Sequence, residues 1–203
     1  MTGDATAPSD RALSIGGLSA PRPEPSRDGS PPDEASLIRI LETATTVPDH
    51  GSLRPWRFAV IRAGGRARFG EALVQGLVHQ QGDGLPDAAV AKMRGKAFAA
   101  PCAVVLIASP HPGSNVPIWE QVASASCTGY AMVLAATALG FGAVWKSASV
   151  LESEPVRALF DLTEDERLLG WVNIGSAGEP SRKKSGSEQP PVGLTGLVSV
   201  VDD

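Results

Sequence analysis

Apolar residues recur along this chain at helical spacing in some stretches and in unbroken β-branched runs in others, and the changes between the two mark its elements. Leu37, Ile38, Leu41 and Ala44 share one face behind Ser30-Pro31-Pro32-Asp33. That spacing predicts a helix from Pro31 to about Thr46, with Ser30 as N-cap and Pro31 at the first helical position. A strand is expected over Arg57–Ile61. After the Gly64-Gly65 turn, Arg66 to about His79 reads as an exposed helix carrying Phe69, Leu73 and Leu77, and a third helix covers roughly Asp87–Phe98. Cys102–Ala108 is short, continuously apolar and bounded by Pro101 and Pro110, the pattern of a central strand covered on both faces.

From Pro117 to Leu139 the residues are small and apolar almost all round, with Trp119, Tyr130, Met132 and Leu134 as the bulky members, which predicts a buried helix ended by Gly140. Strands over Ala143–Ser147 and Leu168–Gly175 flank a short helix opened by Ser153-Glu154-Pro155, and a last extended piece is expected at Leu197–Val201. This order suits an α+β sandwich built on one mixed sheet. A helix that is apolar on more than one side needs cover beyond its own sheet. Ala123, Ser124, Ser126 and Ala131 would let another helix approach closely, so a second copy of the chain is the expected cover, giving a two-fold homodimer.

Composition narrows the picture. At 203 residues, 42% hydrophobic and 20% charged, the chain can bury one full core. Residues 1–30 are rich in Pro, Ser, Gly and Asp and bury too little to offset ordering entropy, so a flexible arm is expected there, followed by a single domain over 31–203 with an extended C-terminal tail. A formal net charge of −4 without a basic stripe argues against nucleic-acid or anionic-membrane partners. No membrane span or signal peptide is apparent, and Cys102 and Cys127 read as buried small hydrophobes in a reducing, cytoplasmic setting, with no metal-ligand spacing.

The most informative chemistry lies in Pro48-Asp49-His50-Gly51-Ser52-Leu53-Arg54-Pro55-Trp56-Arg57-Phe58. Two prolines and a glycine fix the backbone, so His50 and Ser52 are held at little ordering cost when a ligand binds. The segment resembles the Pro-x-x-x-Ser-x-x-Pro-Trp-x-Phe motif of the flavin-dependent nitroreductase family, whose shortest members carry Pro-Asp-His at this point. The resemblance covers residues from about 34 to 180. It implies a nitroreductase-like fold, a mixed, largely antiparallel sheet flanked by helices in a homodimer, with flavin mononucleotide (FMN) bound between subunits. His50 would reach the FMN edge from the partner subunit, Ser52 would line the pocket, and Thr46 stands where close members carry an arginine.

Gly140-Phe141-Gly142 is not a dinucleotide fingerprint, because it follows its helix instead of preceding it; a glycine C-cap is the local reading. The resemblance places Trp145, Lys146 and Ser147 along the flavin ring, where backbone amides and the Lys146 ammonium would stabilise developing negative charge. It assigns the preceding Ala136, Thr137, Ala138, Leu139, Gly140 and Phe141 to the nicotinamide donor. A basic residue after the final core strand reaches the FMN phosphate in the family, which points to Lys183 and Lys184, although Arg182-Lys183-Lys184 also reads as a solvated loop. The family's amino-terminal Arg-Arg-Ser survives here only as Ser19, with Arg22 three residues on. Trp119-Glu120 reads as a core tryptophan beside a solvated glutamate.

These residues together imply an FMN-dependent NAD(P)H oxidoreductase that reduces a nitroaromatic, quinone or similar small acceptor by ping-pong hydride transfer. The cofactor carries the chemistry, so no catalytic acid or base is assigned. The thinned amino-terminal phosphate contacts leave two alternatives open: a non-enzymatic flavin-binding or sequestering protein, and an enzyme using a different flavin-like cofactor in the same cleft.

Overall fold

Strand Cys102–Ala108 lies at the heart of the protein, buried at every position in a computed structural model that describes residues 15–20, 22–178 and 196–201. The described residues fall into two units, 23–180 and the two termini. In the terminal unit, α1 spans Ile15–Ser19, and Gly196–Val201 forms a turn and an exposed irregular stretch. The extended strand expected over Leu197–Val201 is not formed, since no strand pairs with it among the described residues.

The main unit runs α2 (Glu34–Ala44), β1 (Trp56–Arg62), α3 (Gly65–Gln81), α4 (Asp87–Gly95), β2 (Cys102–Ala108), α5 (Ile118–Ala138), β3 (Phe141–Lys146), α6 (Glu154–Leu159) and β4 (Arg167–Ser176). The sheet order is β1-β2-β4-β3, and each of these pairings is antiparallel. The expected mixed, largely antiparallel sheet is thus wholly antiparallel among the described residues. β2 alternates its side chains between two cores, as a strand period of two requires. Ala103, Val105 and Ile107 pack with Phe69, Leu73 and Trp171 under α3, α4 and α6. Cys102 and Val104 pack with Ile40, Met132 and Ile174 under α2 and α5. No described helix is long and apolar enough to cross a membrane.

Three local expectations are corrected. Asp33, not Ser30, caps α2, its Oδ1 accepting from Ser36 N at 2.8 Å. Ser30 is occupied elsewhere, its amide donating to Ser176 Oγ at 3.0 Å and its carbonyl accepting from Ser176 N at 2.9 Å. Ile40 replaces Ile38 on the buried face of α2, leaving Ile38 45% exposed. α3 is also less exposed than its sequence suggests, because α4 and α6 cover Gly70, Ala72, Val74 and Gly76 beside Phe69, Leu73 and Leu77.

The expected flexible arm also extends less far than residue 30. Pro23–Ser30 lies along the ends of β3 and β4: Pro23 O accepts from Ala143 N, Glu24 O from Gly178 N, and Ser26 N donates to Ser176 O, at 2.9–3.0 Å. Backbone hydrogen bonds compensate here for a composition poor in apolar residues, which is why sequence periodicity does not register the docking. Gly142 makes the approach feasible, since a Cβ there would collide with the Glu24 carbonyl and lie 2.7 Å from Pro25 Cα.

Candidate functional site

The loop between α2 and β1 is built from its own backbone demands. Gly51, Ser52 and Arg54 all adopt positive φ (75°, 52° and 50°), the last two uncommon for residues with a side chain. Asp49 holds the turn, its Oδ2 accepting from Arg54 N at 2.6 Å while its carbonyl accepts from Ser52 N at 3.1 Å. The loop rests on the first half of α5, where Ser124 Oγ donates to Pro48 O at 2.5 Å. His50 Nδ1 lies 2.8 Å from Glu120 Oε1.

A cavity of about 450 Å³ opens between this loop and α5, lined by Pro48, His50, Val116, Glu120, Ser124 and Cys127 among others. Its far wall is held by Gln121, a buried amide that accepts from His111 N and donates to Val116 O, both at 2.8 Å. Glu120 is therefore a cavity residue in contact with His50, not merely a solvated acid. Nothing in the sequence distinguishes it, because an acid in the first turn of a helix is already accounted for by the helix dipole.

The exit from the loop is anchored separately. Arg57 forks onto Glu166 with two hydrogen bonds of 2.7 Å and also donates to Phe160 O at 2.9 Å. The Arg57 guanidinium holds the Glu166 carboxyl well below the usual carboxylate range, at about 2. This pair ties the start of β1 to the loop before β4, and the sequence alone gives no sign of it.

The other expected residues fall into distinct places. Trp145 sits in β3 with its indole against Gly129 of α5, donating from Nε1 to Leu169 O at 3.2 Å. Lys146 is exposed, 3.5 Å from Glu24 Oε1, and Ser147 lies just beyond the strand with its carbonyl facing Lys96 Nζ at 3.3 Å. None of these three lines the cavity at His50, so a single chain does not unite the two expected walls. Ser52 belongs to the loop but not to the cavity lining, and the Thr46 hydroxyl is spent on Thr43 O at 2.9 Å. Of the stretch Ala136–Phe141, Ala136 is a core residue, the Thr137 hydroxyl donates to Val133 O, and Ala138 and Gly140 are exposed. Ser19 is exposed in α1, and Arg22 donates to Leu18 O at 2.9 Å, within its own segment. Lys183 and Lys184 lie outside the described residues.

One face of α5 departs from the expected burial. Trp119 is 71% exposed and Tyr130 50% exposed, and with Ala123 and Cys127 they form a continuous exposed stripe at helical spacing. Trp119 is thus not a core tryptophan, and Cys127 is not buried as Cys102 is. Within one chain, sheet and α2 cover only the opposite side of the helix.

Comparison with known proteins bears directly on this geometry. Residues 28–176 match the model of the nitroreductase family. YdjA of Escherichia coli (strain K12), which carries the name of an NAD(P)H nitroreductase, is 38% identical over 160 residues, spanning 79% of this chain and 84% of YdjA. A Haemophilus influenzae protein with the same type of name is 32% identical over 154 residues, covering 75% of this chain and 82% of that protein. Among solved structures, a nitroreductase-like family protein from Bacillus cereus superposes with a TM-score of 0.74 at 20% identity, covering 95% of this chain and 98% of the other. The FMN-dependent nitroreductase NfnB from Mycobacterium smegmatis, solved with NADPH, gives 0.65 at 17% identity over 92% and 97% of the two chains.

Proposed function

The chain belongs to the nitroreductase family, and from that premise we propose that it is an FMN-dependent NAD(P)H oxidoreductase acting on a nitroaromatic, quinone or similar small acceptor, with its site shared between two copies of the chain. The exposed apolar stripe of α5 carries the dimeric part, because Trp119, Ala123, Cys127 and Tyr130 lie beside the His50 cavity and are left uncovered in one chain. In such a pair, the family resemblance has the histidine loop of one copy meeting the Trp145-Lys146-Ser147 strand of the other.

The residues present suit the ring system of FMN. A cavity of about 450 Å³ is of ligand size, and Lys146 offers an exposed cation next to a strand held firmly by Trp145. Bound there, FMN would supply the hydride chemistry that links NAD(P)H to the acceptor. The protein's own part is positional and electrostatic: His50 and the Trp145-Lys146-Ser147 backbone border the ring, and Lys146 stabilises negative charge there. For the phosphate, the family resemblance points to Ser19, Arg22, Lys183 and Lys184. The stretch Ala136–Phe141 offers the exposed residues Ala138 and Gly140 to the nicotinamide. The two unpaired thiols accord with a reducing compartment, so a cytoplasmic location belongs to the same proposal.

The purified protein is expected to bind FMN in a titration and, once loaded, to bleach on anaerobic mixing with NADH or NADPH. FMN bound without bleaching by either donor would turn the assignment to a flavin-sequestering protein, and no binding at all would refute it. His50→Ala is expected to raise the FMN Kd about tenfold, the loss of roughly one hydrogen bond, while leaving the melting temperature unchanged. Light scattering is expected to give twice the chain mass for the native protein. Ala123→Glu, which places a charge in the middle of the α5 stripe, should yield the single-chain mass and abolish tight FMN binding; an unchanged dimer would locate the interface elsewhere.

A further inference from the structure

Glu120 approaches His50 across 70 residues of sequence, at 2.8 Å, on the wall of the cavity. His50 itself begins a single short turn whose next two residues both have positive φ, so the backbone fixes the base of its side chain but not the plane of its ring. The imidazole is 67% exposed and would be free to rotate without a partner. We propose that Glu120 is a positioning residue that acts through His50. Its carboxylate accepts the hydrogen on Nδ1, which fixes both the ring plane and the tautomer and reserves Nε2 for the bound ligand. This role rests on the assignment of the His50 cavity to FMN.

Locking an exposed, rotatable side chain before binding removes an ordering cost that would otherwise be taken from affinity. Three features make α5 a suitable carrier of the lock. Glu120 lies in the first turn of a 21-residue helix, so its own backbone is rigid. The adjacent Gln121 is buried and bonded at both ends of its amide, which fixes the helix start against the 111–116 loop. Ser124, one turn further on, holds the Pro48 carbonyl and therefore sets the distance from helix to histidine loop. Glu120 is thus the part of this contact that reaches the ring instead of the backbone.

FMN titration of the full-length protein tests the assignment with four variants. Glu120→Ala is expected to raise Kd about fivefold, the effect of freeing one side chain. Glu120→Gln should stay within about twofold of the native value, because its amide oxygen still accepts from Nδ1. In a His50→Ala background, Glu120→Ala should add nothing further. Melting temperatures should move by no more than ~2 °C, since the pair is exposed and contributes little to stability. Glu120→Ala without effect, a Gln variant as weak as Ala, or an additive effect in the His50→Ala background would each overturn the positioning role. If His50→Ala is itself silent, the FMN assignment of the cavity falls too; if only Glu120→Ala is silent, that assignment stands and Glu120 alone loses its part.

Discussion

Glu166→Ala is expected to lower the melting temperature by about 6–12 °C, the equivalent of roughly 3 kcal/mol in a chain of this size. The side chain is almost wholly buried, and its removal strands the two donors of Arg57 and the amide of Thr163, which donates to Oε2 at 3.1 Å. The same carboxylate gives a signed pH dependence. Its folded pKa of about 2 lies below the ordinary 4.5, so the unfolded chain binds more protons between those values and stability rises with pH across that window. The stabilisation is complete above about pH 4.5 and is lost as pH falls toward 2. Urea melts at pH 3 and pH 6 should therefore show a smaller difference for Glu166→Gln than for the native protein. Equal differences would mean that the Arg57 pair contributes no proton-linked stability.

Gly170→Ala should be comparably damaging and should strike the proposed flavin site as well. Gly170 has φ 123°, a conformation reserved for glycine, and a Cβ there would overlap the Lys146 carbonyl and lie 2.7 Å from Trp145 Nε1. Its position follows a register shift between Leu106 and Ile107 on β2, and this bulge leaves the Leu169 carbonyl to accept the Trp145 indole. Pushing β3 outward would break that bond and displace Trp145, Lys146 and Ser147 together. We expect a loss of about 3 kcal/mol in stability and of FMN binding in the same variant. Gly64→Ala supplies the control, because a Cβ at Gly64 meets nothing within 4 Å and its φ of −61° suits any residue. A Gly170→Ala protein that melts and binds FMN like this control would remove the bulge from any role.

What could be read in the sequence follows the range of the forces involved. Burial periodicity is local, so β2 over Cys102–Ala108 and the long α5 were legible to within a residue or two. The Asp33 cap was obscured because Ser30 is an equally good capping residue, and only the distant Ser176 shows that its backbone is already engaged. The docking of Pro23–Ser30 depends on backbone bonds to residues more than a hundred positions away, which no composition encodes. In the site, the histidine turn announced itself through Pro48, Gly51 and Pro55. Glu120 did not, because its meaning comes only from the ring it meets. Trp119 reads as a core residue in the sequence and is 71% exposed in the structure, because an apolar helix looks alike in sequence whether or not its own sheet covers each face.

Two cysteines in such different surroundings offer a chemical gauge for the proposed pairing of two copies. Cys102 is fully enclosed beneath α2 and α5, and burial pushes its thiol up, away from the reactive thiolate. Cys127 stands on the bare stripe of α5. A thiol reagent therefore meets one sulfur per chain while that helix face is open, and in the proposed dimer it would meet neither, so the rate of labelling would report how often such a pair opens.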